Sequence, residues 1–174
     1  MKGLLVLFFL SLSFQALSAS LYGVDLKTAN RDQLTSAVKN SGLKRVKGAA
    51  KDPFYDQYES ASVISESSIL YLGFVAKTQA FAFAEYEFTG LNQDFMLPIL
   101  GQRYGAPKVA KASFVSDRSY TWISEDTTIV LYQDWSAYRT RLSYFNSPAL
   151  QQLKQERGRS LKNLKVVSVM DQAY

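Results

Sequence analysis

The chain has 174 residues, of which 47% are hydrophobic and 20% charged; its formal net charge is +5, and it contains neither cysteine nor histidine. This composition is typical of a globular protein rather than a disordered or fibrous one. The lack of both residue types excludes thiolate nucleophiles, disulfide frameworks, cysteine or histidine zinc sites and every catalytic triad with an imidazole base.

Residues 1–20 have the three-part pattern of a secretory signal peptide: a positive start, an apolar stretch over residues 4–12, and a small and polar end. The apolar stretch is too short to span a bilayer, which needs about 20 residues, so we expect no stable membrane insertion. Small residues allow cleavage after Ser18 or after Ser20. We therefore expect a periplasmic or secreted protein in which residues 21–174 form one α+β domain.

The first part of the mature chain is predicted to form a helix and then strands. Asn30 and Gln33 have the spacing of a capping box and precede apolar residues at helical spacing, which predicts a helix over residues 31–41. The basic segment 44–53 contains glycine and proline and is predicted to be a loop. Residues 55–89 are rich in aromatic and β-branched residues and are predicted to form three strands.

A second helix is predicted by apolar residues that recur at spacings of three and four. Pro98 would remove a hydrogen bond inside a helix, so the helix is expected to begin near Leu97 or to kink there. Gly105 is expected to end it in the left-handed conformation, since the following Pro107 cannot continue a helix.

Residues 108–146 are predicted to form four strands whose short connections require an antiparallel meander. A third helix is predicted to be capped by Ser147 and to end at Gly158. The predicted fold class is therefore α+β, with two helix-then-antiparallel-meander units, a sheet packed against short helices, and a C-terminal helix. The element order also predicts an internal repeat of residues 28–89 and 90–146.

The helix end RYGAP at residues 103–107, and the spacing of Trp122, Ile129 and Leu131, resemble two kinds of small exported bacterial protein. These are the β-lactamase inhibitor protein-like fold and the small outer-membrane-assembly lipoproteins. Both families bind other proteins and are not enzymes, so the resemblance implies a binding module. The chain has neither the lipidation cysteine of the lipoproteins nor the cysteine pair of the β-lactamase inhibitor protein-like fold.

Aromatic and arginine side chains cluster around one predicted turn, and they form the candidate binding residues because such residues dominate interface energetics. They are Tyr132, Trp135, Tyr138, Arg139 and Arg141. The leading hypothesis is an exported, non-catalytic module that contacts a protein or an envelope polymer through an exposed sheet face. Arg139 and Arg141 alternate with aromatic residues in a way that would suit nucleic acid, but the export signal argues against that partner.

The alternative hypothesis is a carboxylate-dependent hydrolase that acts on envelope glycans. Glu85 and Glu87 are two apart in a predicted strand, so both carboxylates lie on one face, where they are expected to be solvated side by side. No phosphate-binding glycine loop or calcium-loop spacing occurs in the sequence, so no cofactor and no metal are expected.

Basic residues are concentrated in two segments of the chain. The first is a candidate basic patch of Lys44, Arg45, Lys47 and Lys51. The second is the stretch over residues 154–165. Either segment suits an anionic polymer, an anionic lipid or an acidic protein surface. The alternative is that these charges compensate acidic residues of the same molecule.

Overall fold

The computed structural model describes residues 18–47, 52–60, 67–89, 93–111, 118–134 and 137–158. The elements within these ranges are, in chain order, β1 (Ser20–Leu21), β2 (Val24–Asp25), α1 (Arg31–Asn40), β3 (Lys44–Arg45), β4 (Tyr55–Glu59), β5 (Ser67–Phe74), β6 (Phe81–Thr89), α2 (Gln93–Tyr104), β7 (Lys108–Lys111), β8 (Arg118–Ser124), β9 (Thr127–Asp134), β10 (Arg139–Asn146) and α3 (Ser147–Arg157). Residues 1–17 of the predicted signal peptide lie outside the described residues.

Strands β3 to β10 form one antiparallel sheet in the order β3-β4-β5-β6-β10-β9-β8-β7, and β1 pairs with β2 in a separate hairpin. Helix α1 precedes the meander β3 to β6, and α2 precedes the meander β7 to β10. The two meanders meet where their last strands, β6 and β10, pair with each other. The predicted α+β class, with two helix-then-meander units and a C-terminal helix, is confirmed.

The two faces of the sheet carry separate cores, because successive side chains of a strand alternate between the faces. On the first face, α2 packs against β8 and β9, and Leu34 of α1 joins a core that includes Leu70 and Trp122. On the second face, α3 packs against β5, β6 and β10 over a core with Phe83 and Phe145. Strand β6 is consequently buried at every position from 81 to 88.

The capping box predicted for α1 is present. Asn30 Oδ1 accepts a hydrogen bond from the Gln33 N–H at 3.0 Å, and Gln33 Oε1 accepts one from the Asn30 N–H at 3.1 Å. Two N–H groups that have no partner within the helix are thereby satisfied. Leu34 and Val38, one turn apart, are fully buried and attach the helix to the first face.

Helix α2 spans Gln93–Tyr104, so of the two alternatives for Pro98 a start near Leu97 is wrong, whereas a kink there stays a prediction. Pro98 lies in the second turn of α2 and has no N–H to donate to the carbonyl four residues earlier, which is on the exposed side of the helix start. The predicted left-handed end is confirmed, because Gly105 has a φ of 82°. The Gly105 carbonyl accepts a hydrogen bond from Trp122 Nε1 at 2.8 Å, which fixes the helix end on β8.

Replacing Gly105 by alanine is expected to destabilise the protein by about 1 kcal/mol, because a Cβ is unfavourable at positive φ. No atom lies within 4 Å of the added Cβ, so backbone strain is the expected cause. Gly101 is the matched control: its Cβ would also meet nothing within 4 Å, but it lies inside α2, where alanine is preferred over glycine. Urea unfolding of both variants measures the difference, and equal stabilities would contradict the left-handed cap.

Helix α3 is capped by Asn146, whose side-chain oxygen accepts a hydrogen bond from the Ala149 N–H at 3.1 Å. The prediction of Ser147 as the cap is wrong by one residue, because Asn146 has the extended backbone of a cap and Ser147 already belongs to the helix. The predicted end at Gly158 is confirmed by its φ of 63°.

The predicted strands of both meanders are present as β4 to β6 and β7 to β10. The prediction of a loop over 44–53 is wrong for Lys44 and Arg45, which form the edge strand β3 paired with β4. So short an edge strand has no apolar alternation that would indicate it. None of the helices that the structure describes has the length and hydropathy needed to cross a bilayer.

Candidate functional site

Strands β6 and β10 carry charged side chains on the second face of the sheet, the face that also holds α3. In their register, Glu87 is directly opposite Arg141, and Glu85 is directly opposite Ser143. Directly opposed residues of antiparallel strands lie on the same face with their side chains in contact range. We call the resulting group the charge cluster; it consists of Glu85, Glu87, Arg139, Arg141 and Ser143.

Glu87 lies between two guanidinium groups of the charge cluster. Arg139 Nη1 donates a hydrogen bond to Glu87 Oε1 at 2.7 Å, and Arg141 Nε is 3.6 Å from Glu87 Oε2. Ser143 Oγ donates a hydrogen bond to Glu85 Oε2 at 3.1 Å. Because hydrogen bonds to charged groups are strong and directional, the two hydrogen bonds fix Arg139 on Glu87 and Ser143 on Glu85, whereas the 3.6 Å contact of Arg141 is an ion pair without a hydrogen bond.

The members of the charge cluster differ in exposure. Glu85 and Arg141 are only 1% and 7% exposed, whereas the Arg139 side chain is 37% exposed. The two guanidinium nitrogens of Arg139 other than Nη1 have no partner among the residues that the structure describes. Arg139 is therefore the cluster member that a ligand can reach, and Glu87 orients it.

Two half-buried tyrosines flank the charge cluster across the sheet. Tyr71 of β5 is opposite Glu85, and Tyr132 of β9 is opposite Arg141. Burial raises the pKa of the Tyr71 phenol, and the nearby carboxylates of Glu87 and Glu85 raise it further. Like any tyrosine phenol, it is protonated at neutral pH and can donate a hydrogen bond to a ligand.

Two other large side chains, in β8 and in the turn before β10, are exposed. Ile123 of β8 lies on the second face and is 65% exposed, but it is in the row of Phe145, six residues along β10 from Arg139. Tyr138, the neighbour of Arg139 in sequence, is 75% exposed and has a φ of 50°, an uncommon conformation for a residue other than glycine. Arg139 is thus a positioned cation next to an exposed aromatic residue.

The structure places the predicted binding residues in different environments. Tyr132, Arg139 and Arg141 lie on one face together with the two glutamates of the alternative hypothesis, while Trp135 lies outside the described residues. The expectation that Arg141 is exposed is wrong, because its neighbours on both sides of β10 bury it. The alternation of Arg139 and Arg141 with Tyr138 and Tyr144 does not give one stacking surface, since Tyr144 faces the core on the first face.

The two glutamates are buried rather than solvated, contrary to expectation. Glu85 is 1% and Glu87 is 8% exposed, because both lie on a central strand of the sheet. They project side by side from one strand, and each accepts a hydrogen bond from β10. Within the described ranges, acidic residues form no group of three that could hold a metal ion.

The basic patch is partly neutralised within the chain. Lys44, Arg45 and Lys47 are exposed, and Lys51 lies outside the described residues. Arg45 Nη2 is 3.0 Å from Asp56 Oδ1, and Lys44 is opposite Glu59 in the β3–β4 register. The ion pair of Arg45 and the position of Lys44 opposite an acidic residue favour compensation of charge for that segment. The pairing with Asp56 has no signal in the sequence, because the partner lies on another strand.

Comparison with known proteins adds little. No family model and no curated protein matches the chain. Among solved structures, the chain has a weak similarity of fold to the crystal structure of a DUF4309 family protein (YjgB) from Bacillus subtilis subsp. subtilis str. 168. The two are 13% identical, with a TM-score of 0.42, over 69% of this chain and 81% of that chain.

Proposed function

We propose that the protein is a non-catalytic binding module that holds a protein or an envelope polymer on the second face of the sheet. The observation that carries this proposal is the partly exposed Arg139, which its hydrogen bond to the buried Glu87 orients. Tyr71 and Tyr132 supply aromatic area on the same face, and the exposed Tyr138 is the neighbour of Arg139 in sequence. A fixed guanidinium among aromatic side chains is typical of the residues that contribute most to binding at interfaces.

Our proposal includes export of the protein to the periplasm or the medium, on the pattern of residues 1–20 and in keeping with the resemblance to exported binding proteins. Ala19 is 2% exposed, and its carbonyl accepts a hydrogen bond from the Leu26 N–H at 2.9 Å. Cleavage after Ser18 keeps this residue in the fold, whereas cleavage after Ser20 removes it. We therefore expect an exported product that begins at Ala19; an intact mass that corresponds to a start at Leu21 would contradict this.

The binding surface is tested by crosslinking in an envelope extract of the source organism. A photoreactive residue in place of Tyr138 is expected to give a specific adduct, because that side chain is 75% exposed beside Arg139. A photoreactive residue in place of Lys39, which is exposed on α1, serves as the control for non-specific capture.

Arg139→Ala in the Tyr138-labelled protein is expected to reduce that adduct about tenfold, as removal of a central interface arginine does. Lys39→Ala removes an exposed positive charge elsewhere and is expected to change nothing. An adduct of the same amount from both positions, or one that Arg139→Ala leaves unchanged, would overturn the proposed surface.

The alternative, a carboxylate-dependent hydrolase of envelope glycans, rests on Glu85 and Glu87. Glycosidases of this kind hold two carboxylates on opposite sides of the scissile bond. Here the two carboxylates project side by side and accept hydrogen bonds from Arg139 and Ser143, an arrangement that favours binding over catalysis. A glycan-cleaving activity that Glu85→Gln abolishes would favour the hydrolase instead.

A further inference from the structure

A second polar site lies on the other face of the sheet, between the start of α1 and the edge strands β3 and β4. It is an open cleft of about 500 Å³. This volume is within the range of small-molecule sites, about 300 to 1,000 Å³. The residues that line it are Arg31, Asp32, Thr35, Arg45, Asp52, Pro53 and Asp56. None of them belongs to the charge cluster.

Most polar groups of the cleft are occupied by contacts within the chain. Arg31 Nε donates to Asp56 Oδ2 at 2.9 Å, and its Nη1 and Nη2 donate to the carbonyls of Pro53 and Asp52, both at 2.9 Å. Asp52 also accepts hydrogen bonds from Arg157 Nη2 and from the Phe54 N–H. These contacts attach residues 52–56 to α1, so a structural role accounts for Arg31, Asp52 and Asp56.

The contacts that attach residues 52–56 to α1 do not use two charged side chains of the cleft fully, Arg45 and Asp32. Arg45 uses only Nη2, in its 3.0 Å contact with Asp56, and its other guanidinium nitrogens have no partner among the described residues. Asp32 is exposed in the first turn of α1, and its carboxylate has no hydrogen bond or ion pair within the described part of the chain. Thr35, one turn further along α1, also lines the cleft, but its hydroxyl is hydrogen-bonded to the buried Tyr58.

Asp56 forms an ion pair with Arg45 at the cleft. Because Asp56 is 6% exposed and is itself held by Arg31, its 3.0 Å ion pair keeps the Arg45 guanidinium at the cleft. The planar guanidinium has further N–H donors, whose arrangement matches the two oxygens of a carboxylate. Asp32 supplies the opposite preference, for an ammonium group.

We propose that this cleft binds a zwitterionic amino acid or short peptide, with its carboxylate on Arg45 and its ammonium group on Asp32. A simple anion would meet the unpaired Asp32, and a simple cation would meet Arg45, so a ligand with both charges fits best. The site does not depend on the ligand proposed for the second face.

The probe is the dipeptide L-alanyl-L-alanine, titrated into the ¹⁵N-labelled mature protein and followed by NMR. We expect saturable shifts of the amide signals of Asp32, Thr35 and Arg45. Two matched probes each lack one charge: the N-acetylated dipeptide has no ammonium group, and the dipeptide amide has no carboxylate. Each is expected to bind at least tenfold more weakly than the free dipeptide.

Variants assign each charge to its residue. With Asp32→Asn, the free dipeptide is expected to bind no more tightly than its N-acetyl form. With Arg45→Gln, the free dipeptide is expected to bind no more tightly than the dipeptide amide. Arg45→Lys keeps a charge for Asp56 but lacks the planar donors, so it is expected to behave like Arg45→Gln. Lys47→Gln removes an exposed positive charge that does not line the cleft and is the control.

The folded state of each variant is verified by its ¹⁵N spectrum before titration. Equal binding of the three probes, or no shift at these residues with up to tens of millimolar dipeptide, would overturn the proposal. An N-acetyl dipeptide that binds as tightly as the free one would also overturn it, because the cleft would then select anions only.

Discussion

Replacement of Gly73 by alanine is expected to destabilise the protein by about 3 kcal/mol, the upper part of the range for overpacked cores. Gly73 lies on β5 directly opposite Phe83 of β6, and a Cβ on Gly73 would overlap the Phe83 ring. The ring has no room to move aside, because Phe83 is 1% exposed and packs in the core beneath α3. The aromatic ring thus occupies the space that a side chain at position 73 would need.

Urea unfolding of Gly73→Ala, Phe83→Leu and the double variant measures this effect. Leucine in place of Phe83 removes the ring atoms that would clash, so the double variant is expected to be more stable than the sum of the single effects implies. Coupling between contacting residues typically reaches about 0.5 to 3 kcal/mol. A Gly73→Ala variant as stable as the natural protein would contradict the packing of Phe83 over Gly73.

Local signals predict much of this fold. The capping box at Asn30 and Gln33 and the left-handed Gly105 involve residues close in sequence, and the structure confirms both. The cap of α3 was ambiguous because Asn146 and Ser147 are both good caps, and only the end of β10 decides between them. Strand β3 depends on backbone pairing with β4, for which neighbouring residues carry no signal.

The candidate site was only half predictable for a related reason. Alternation along each strand indicates that Glu85 and Glu87 share a face, as do Arg139 and Arg141. It cannot indicate that β6 and β10, which are far apart in sequence, are neighbours in the sheet. That pairing brings the residues of the two hypotheses into one charge cluster. The same holds for Arg31, Arg45 and Asp56, which meet only through the fold.

One consequence concerns a pair of double variants, one without Arg139 and Arg141 and the other without Glu85 and Glu87. A comparison of these two variants does not separate the binding hypothesis from the hydrolase hypothesis. Glu87 contacts Arg139 and Arg141 alike, so removal of either partner alters the other. Loss of binding in such double variants would follow from a disturbed charge cluster as well as from a lost contact. Single replacements graded by exposure avoid this difficulty, because Arg139 is partly exposed and Arg141 is buried.

Arg141→Ala is accordingly expected to destabilise the protein by about 3 kcal/mol, whereas Arg139→Ala costs less than about 1 kcal/mol. Arg141 is 7% exposed and lies 3.6 Å from Glu87, so its removal leaves a cavity and takes one cation away from a buried carboxylate. The Arg139 side chain is 37% exposed, so solvent weakens the contribution of its ion pair to stability.

Urea unfolding of both single variants, together with Glu87→Gln/Arg141→Met, tests this difference. The double variant removes the charge of Glu87 from β6 and that of Arg141 from β10, and it keeps a side chain of similar length at position 141. It is expected to recover a large part of the stability lost in Arg141→Ala, because a buried carboxylate that has lost one of its cations costs more than an absent pair. Equal effects of Arg139→Ala and Arg141→Ala, or no recovery in the double variant, would show that Arg141 does not stabilise the fold through Glu87. In that case Arg139 could not be distinguished as the residue that a ligand reaches from Arg141 as the residue that stabilises the fold. A loss of binding in Arg139→Ala would then no longer report on binding alone.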